Sequence, residues 1–360
     1  MKKNIALVFG GKSAEHEVSL VSALNIYNAL DKTLFEPVLL GVSKEGSWYH
    51  FSNADIFKKH KSLNDNELSS NQVVSLLSYH EKPYALILKT QEKIMLDCAF
   101  PIIHGTLGED GTLQGYFKIL NLPFVGCSVL SSAIGMDKDY MKRILTSSEI
   151  KNANYIVLQK EADQVYSEIV KKIGTPFFIK PANAGSSVGV HKIKSESEFL
   201  QKINDSFLYD NKVLAEEYIK GREIECSVIG LNHHPRASLP GELIIKHEFY
   251  SYEAKYLDTH GAEIVIPAKV SDIMTKKIQN LAIKTFKTLG CDGLARVDFF
   301  LTDAGLLYVN EINTLPGFTQ ISMYPKMWQA SGLQYKELIT NLINLAFEKH
   351  FIDNHLKHTF

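Results

Sequence analysis

Four cysteines, Cys98, Cys127, Cys226 and Cys291, are spread over 360 residues. No two of them form a C-x-x-C pair, so neither a disulfide frame nor a cysteine zinc site is expected; buried thiols in a reducing compartment fit better. An excess of charge is also missing. Against 40 Asp and Glu stand 39 Lys and Arg, a net charge of -1 with pI ≈ 6.9. The basic residues are not bunched, which excludes a general nucleic-acid surface. Long apolar runs are absent as well. None approaches the roughly 20 residues that span a bilayer, and Ile5 to Phe9 is too short for an export signal. A cytoplasmic protein with no membrane or nucleic-acid partner is the expectation, and the length allows two or three domains.

What the chain does contain is organised around residues 296–317. Two runs rich in Val, Phe, Tyr and Leu flank the turn signal Thr302, Asp303, Ala304 and Gly305, which predicts a β-hairpin. Alternation puts Arg296 and Asp298 on one face, and Glu311 and Asn313 on one face. With an even number of loop residues, Asp298 lies opposite Glu311 and all four polar groups point the same way. Two carboxylates and an amide carbonyl are hard oxygen ligands suited to Mg²⁺. A solvent-facing hairpin with scattered charges is the plain alternative. The following Thr314, Leu315, Pro316 and Gly317 form a turn that can bring a bare backbone N–H close to a ligand.

Ile5 to Phe9 reads as a strand buried on both faces of a parallel sheet. After Gly10 and Gly11, the residues Leu20, Ala23, Leu24 and Tyr27 stand at helical spacing. The loop between them is not a Walker A motif, which would need a glycine where Ala6 stands. Glu15 sits where a strand end meets a helix start, a usual ligand position in open α/β sheets and equally a place for an acid that complements the helix dipole. Phe35 to Val42, Leu86 to Lys89 and Asp97 to Ile103 are further strand candidates. Residues 51 to 82 read as a polar surface excursion. His104 opens a glycine-rich loop ending at Gly115, and a first domain boundary is placed near Gly126.

Lys138 begins a charged helix. Lys180 ends the strand Phe177 to Lys180 and is followed by a loop of small residues with Ser186 and Ser187, a point charge plus free N–H donors of the kind that grips phosphates and closes as a lid. Glu216 and Glu217 end an apolar run from Val213. Glu223 to Gly230 reads as a strand, the aromatic segment around Lys255 and Tyr256 as a loop, and Ile273 to Leu289 as a helix stopped by Gly290.

Together these segments resemble the D-alanine:D-alanine ligases of the ATP-grasp superfamily over nearly the whole length. The likeness is carried in order by residues 10–19, 104–111, Lys180 with Gly185 to Gly189, 252–256, Arg296 with Asp298, and Glu311 to Gly317. It implies an α/β (α+β) chain with an ATP-grasp fold and an N-terminal Rossmann-like parallel-sheet domain. Its parts would be residues 1–126 for substrate, 127–215 as a small lid, and 216–360 carrying the metal site. It implies ATP-dependent joining of two D-alanines through an acyl phosphate for peptidoglycan synthesis, with two Mg²⁺ ions, Mn²⁺ as a substitute, and a homodimer.

By the same resemblance Lys138, Lys180, Ser187 and Lys255 would contact phosphates, and Glu216, Glu217, Tyr218, Ile219, Glu223 and Phe300 would form the nucleotide pocket. Glu217 stands where the family often has lysine, so it would read ATP differently. Asp298, Glu311 and Asn313 would hold the metal. Glu15, linked through Ser186 to Tyr256, and His104 would place the first substrate. Ser322 and Met323 would bind the second carboxylate, and Arg296 with the Gly317 N–H would stabilise the oxyanion. Tyr256, where relatives making D-alanyl-D-lactate carry histidine, favours an amine nucleophile. The rivals are another ATP-grasp ligase with a different acid and amine, and a nucleotide-binding module without activity.

Overall fold

The computed structural model describes residues 2–160, 165–245 and 262–357. The strand Lys3–Gly10 is central to a four-stranded sheet. It pairs in parallel with Phe35–Val42 on one side and Cys98–Pro101 on the other, and Trp48–Phe51 adds an antiparallel edge. Its unbroken apolar run follows from two buried faces. Ile5, Leu7 and Phe9 pack in one core with Leu20, Ala23 and Ile26 of the helix His16–Ala29; Ala6 and Val8 pack in another with Leu113 and Phe117 of Thr112–Ile119. The first of these cores also takes in Leu338, Ile339, Leu342 and Ile343 of the last helix, Tyr335–Asn354. The chain's two ends are thereby tied together.

The segment expected to be a polar excursion is more embedded than its composition suggests. Leu63 is fully buried, and Val74–Tyr79, Lys82–Ile87 and Lys93–Met95 form a three-stranded antiparallel sheet. The apolar residues that bury it are thinly scattered among polar ones and serve two cores, Ile56 and Leu63 in one and Val74 and Leu76 in the other, so no local pattern reveals them. The strand expected at Leu86 to Lys89 ends at Ile87 and gives way to a turn.

A second, four-stranded antiparallel sheet orders His191–Ile193, Phe177–Pro181, Lys212–Glu217 and Tyr155–Gln159. Its core is closed by helices Tyr166–Ile173 and Glu196–Ser206. The largest sheet has six strands. Its path runs Ala262–Val265, Gly241–Ile245, Arg222–Gly230, Gly293–Leu301 and Leu307–Asn313, with Arg236–Ala237 on the side. Beneath it lies the helix Asp272–Thr288, which presents Ile278, Ala282 and Phe286 inward and ends before Gly290 at φ +67°. Met141 and Leu145 of the helix Lys138–Ser147 join that same core.

All four cysteines are buried free thiols, and burial pushes Cys226 up to about 12, far from a reactive thiolate. His16 is likewise fully buried. Its Nδ1 lies 2.7 Å from the Gly11 carbonyl, and its Nε2 accepts from the Leu63 N–H at 2.9 Å, so it pins the 60s segment to the first loop. Accepting from Leu63 requires the neutral ring, and burial lowers the pKa of His16 below 6.5. The unfolded chain then binds the extra proton first as pH falls below 6.5, so the contribution of His16 is present above that value and is lost through the lower folded pKa. The stability gap between the wild type and His16→Gln should therefore shrink between pH 7.5 and 5.5, a window of about one unit either side of a histidine's usual value; a gap that stays constant in denaturant melts would contradict the buried neutral ring.

Candidate active site

The predicted hairpin is present, but its loop runs over residues 302–306, an odd count, with Thr302 N–H donating to Leu306 O at 3.0 Å and Gly305 N–H to Thr302 O at 2.9 Å. Continued without interruption from the pair Leu301 and Leu307, the ladder would set Asp298 against Asn310 and turn Glu311 to the other face. A β-bulge corrects this. The register shifts between Asp298 and Phe299, Asn310 becomes the extra residue, and beyond it Asp298 faces Glu311 while Arg296 faces Asn313. Their side chains are half-buried, whereas Val297, Phe299 and Ile312 between them are buried in the core.

Arg296 holds this face together. Its Nε and Nη2 donate to Oδ1 and Oδ2 of Asp298, each at 2.7 Å, and its Nε lies 2.9 Å from Oε2 of Glu225. The Asn313 amide donates to Asp298 Oδ2 at 3.0 Å. Glu225 comes from the neighbouring strand, directly across from Asp298. Burial alone would lower the guanidinium's pKa, but Asp298, Glu225 and Glu311 reverse this and hold it well above its ordinary value. Three carboxylates around one guanidinium leave negative charge in excess, which fits a cation. Among the described residues no three or more His, Cys, Asp or Glu converge as a metal cage. Two carboxylates and an amide are the sparse set that suits Mg²⁺, which keeps positions for water and phosphate.

The lysines form a second group. Lys180 and Glu216 sit on adjacent antiparallel strands, one diagonal apart, and their ion pair is 2.6 Å long. The other Glu216 oxygen meets Lys142 Nζ at 2.6 Å. Lys138 Nζ donates to Ala184 O at 2.6 Å, so it is tied to the small-residue loop. Burial raises and the two lysines lower the pKa of Glu216, and the lysines prevail. Glu217 turns the other way: its carboxylate accepts from Asn154 N–H at 3.0 Å and from Asn154 Nδ2 at 2.8 Å. Tyr218 is exposed, its ring tilted at 57° to that of Phe178 with centroids 5.9 Å apart, and lies under Lys192 Nζ at 4.3 Å; Ile219 beside it is half-buried. Glu223 pairs with Phe300 across the six-stranded sheet, next to Glu225 and Asp298.

A third group joins the chain's first third to its middle and its last. Ser186 Oγ donates to Glu15 Oε1 at 2.6 Å, across 171 residues of sequence. Ser186 and Ser187 both have positive φ, +51° and +60°, the sparsely populated conformation that collects at ligand sites. His104 is buried, with Nδ1 donating to Leu315 O at 3.1 Å and 3.3 Å from Glu109 Oε1, and Nε2 3.4 Å from Ser22 Oγ. Burial would lower its pKa, and the Glu109 carboxylate outweighs that and raises it. A Cβ on Gly317 would lie 2.8 Å from Ser322 Oγ and would push that hydroxyl aside. Ser322 occupies the N-cap position of the helix Met323–Ala330 without a side-chain bond to it, its hydroxyl accepting instead from Thr319 N–H at 2.9 Å; Met323 is buried beside it.

Lys255 and Tyr256 lie outside the described residues. Three residues of this region were not singled out from sequence. Glu225 stands two positions after Glu223 on one strand face, Lys142 one helical turn after Lys138, and Glu109 within the glycine-rich loop. Each spacing was a signal that could have been followed.

Models of the D-ala D-ala ligase N-terminus and C-terminus match residues 4–127 and 144–344. The chain belongs to the D-alanine–D-alanine ligase family. A D-alanine–D-alanine ligase of Shouchella clausii is 50% identical over 99% of this chain and 98% of its own length. The structure of the D-alanine–D-alanine ligase from Coxiella burnetii superposes with a TM-score of 0.86 at 39% identity, covering 98% of this chain and 96% of that one. That of the Bacillus anthracis ligase complexed with ATP gives 0.74 at 27%, covering 98% and 99%. Members of this ligase family have the ATP-grasp fold, and the mixed parallel and antiparallel sheets described above are that fold.

Arg296→Lys tests the clamp. One ammonium cannot bridge Glu225 and Asp298 in the bidentate manner of a guanidinium, so chemical denaturation should show a loss of about 2 kcal/mol; unchanged stability would mean the strands do not depend on it.

Proposed function

We propose that this protein joins two D-alanine molecules to D-alanyl-D-alanine, with ATP cleaved to ADP and phosphate, as a step in building peptidoglycan precursors. The observation that carries the reading is the register at the bulge, which brings Asp298, Glu311 and Asn313 to one face beside Arg296 in a chain of this family. Those three residues would hold Mg²⁺, whose positive charge would neutralise the phosphates. No described helix is long and apolar enough to cross a membrane. We place the protein in the cytoplasm, as a homodimer, where ATP and D-alanine are at hand.

The carboxylate of the first D-alanine attacks the γ-phosphate, and ADP leaves. Lys138, Lys180 and Arg296 offset the negative charge on the transferring group. The product is an acyl phosphate, which water would hydrolyse, so the middle part of the chain, 127–215, closes as a lid over it. Glu15 takes the first substrate's ammonium group, and its hydrogen bond from Ser186 ties that substrate to the lid loop. His104 steadies this end of the site through Ser22 and Leu315. The amine of the second D-alanine, its carboxylate at Ser322 and the start of the helix Met323–Ala330, then attacks the acyl carbon, and phosphate leaves. Arg296 and the Gly317 N–H receive the charge on the carbonyl oxygen, an effect worth roughly 3 to 4 kcal/mol per donor.

Glu216, Glu217, Tyr218, Ile219, Glu223 and Phe300 line the nucleotide pocket in this reading, with Glu217 acting through its backbone because its carboxylate faces Asn154. Ser187 and Lys255 complete the phosphate contacts on closure, and Tyr256 extends the Glu15 and Ser186 chain.

Phosphate release with ATP, Mg²⁺ and D-alanine is the direct test, and release that does not depend on D-alanine would sink the proposal. Asp298→Ala or Glu311→Ala should abolish turnover in a protein that still folds, with Asp298→Ala melting lower because it takes the bidentate partner from Arg296; normal activity in either would remove the metal assignment. Tyr256→Phe should lower kcat more than it weakens ATP binding, and the reverse pattern would exclude a role in closure.

A further inference from the structure

Lys142 is a core position by its neighbours. It lies on the helix Lys138–Ser147 between Met141 and Leu145, both in the core of the six-stranded sheet, and its side chain has 0% exposure. A lysine is almost never found there unless it is paired. Its partners are Glu216 Oε2 at 2.6 Å, the Ala153 carbonyl at 3.3 Å, and the ring of Tyr155 with its centroid 5.5 Å away. Lys138, one turn earlier, and Lys180 keep 9% and 8% exposure. Lys142 is fully enclosed and shares Glu216 with Lys180.

We propose that Lys142 is a positioning residue: a fixed counter-charge on Glu216 that lets Lys180 leave the carboxylate for a nucleotide phosphate. The inference rests on reading Lys180 as a phosphate contact. Glu216 holds one ammonium on each oxygen. When Lys180 swings to an anion, Glu216 keeps Lys142 and remains a paired, ionised group. Without Lys142, the same motion strands a buried carboxylate, which is strongly unfavourable, so Lys180 stays locked in a closed pair. Helix geometry fits the division of labour. Residues four apart share a helix face, and along it Lys138 reaches the Ala184 carbonyl of the small-residue loop while Lys142 reaches Glu216.

The test compares ATP dissociation constants, measured with Mg²⁺, and the KM values for ATP and D-alanine. Lys142→Met should weaken ATP about tenfold or more while the D-alanine KM moves less than about twofold, and Lys142→Arg, which keeps the charge, should stay within about threefold of wild type. In the Glu216→Gln background, which has no buried carboxylate to strand, adding Lys142→Met should change ATP affinity by less than about threefold, whatever Glu216→Gln itself costs. That pair also carries the test if Lys142→Met alone does not fold. Unchanged ATP affinity in Lys142→Met, or a loss of about tenfold on adding it to Glu216→Gln, would overturn the proposal. Lys180→Met separates the two layers. If it weakens ATP while Lys142→Met does not, only the positioning role fails; if it leaves ATP affinity unchanged, the phosphate reading of Lys180 fails and this inference with it.

Discussion

The guanidinium of Arg296, shared between Asp298 and Glu225, is the constraint from which the rest of the site takes its shape. One carboxylate beside the half-buried guanidinium would be neutralised by it and leave an inert pair. With three carboxylates nearby the balance stays negative, so the same cluster that fixes the strands also attracts a cation. Burial of these charges is tolerated because they are paired and hydrogen-bonded to one another across three strands rather than scattered.

The opposite sign is arranged a short distance away by the same logic. Lys138, Lys142 and Lys180 surround a single buried carboxylate, Glu216, and leave an excess of positive charge. An acidic cluster with one arginine and a basic cluster with one glutamate form complementary halves, with Lys138 under the influence of Glu311 from the other half. A triphosphate with its cations matches that pattern of charge. The third group, Glu15, Ser186 and His104, draws distant parts of the chain together: Glu15 holds the small-residue loop, and His104, beside Ser22 of the first helix, holds the turn after the hairpin.

Much of the fold could be read from local pattern. The double-sided apolar strand Lys3–Gly10, the helix Asp272–Thr288 with its glycine stop, and both hairpin strands lie where periodicity and turn residues put them. Pattern failed where burial was supplied by a few separated residues, as at Leu63, and where a polar residue's direction depended on a distant strand, as with Glu225 and Lys142. Glu217 shows the same limit from the other side. Its place at a strand end suggested a ligand contact, and its carboxylate instead faces Asn154, 63 residues away in sequence.

By itself the amino-acid sequence determined the residue types of the site, their order, and the alternation that puts Arg296 with Asp298 and Glu311 with Asn313, because side-chain direction along a strand is a local property of the backbone. Whether those two pairs face one another was decided by tertiary structure alone. The odd loop at 302–306 would have set them apart, and the bulge at Asn310 brings them back. Register is a relation between two strands, and no single stretch of chain contains it.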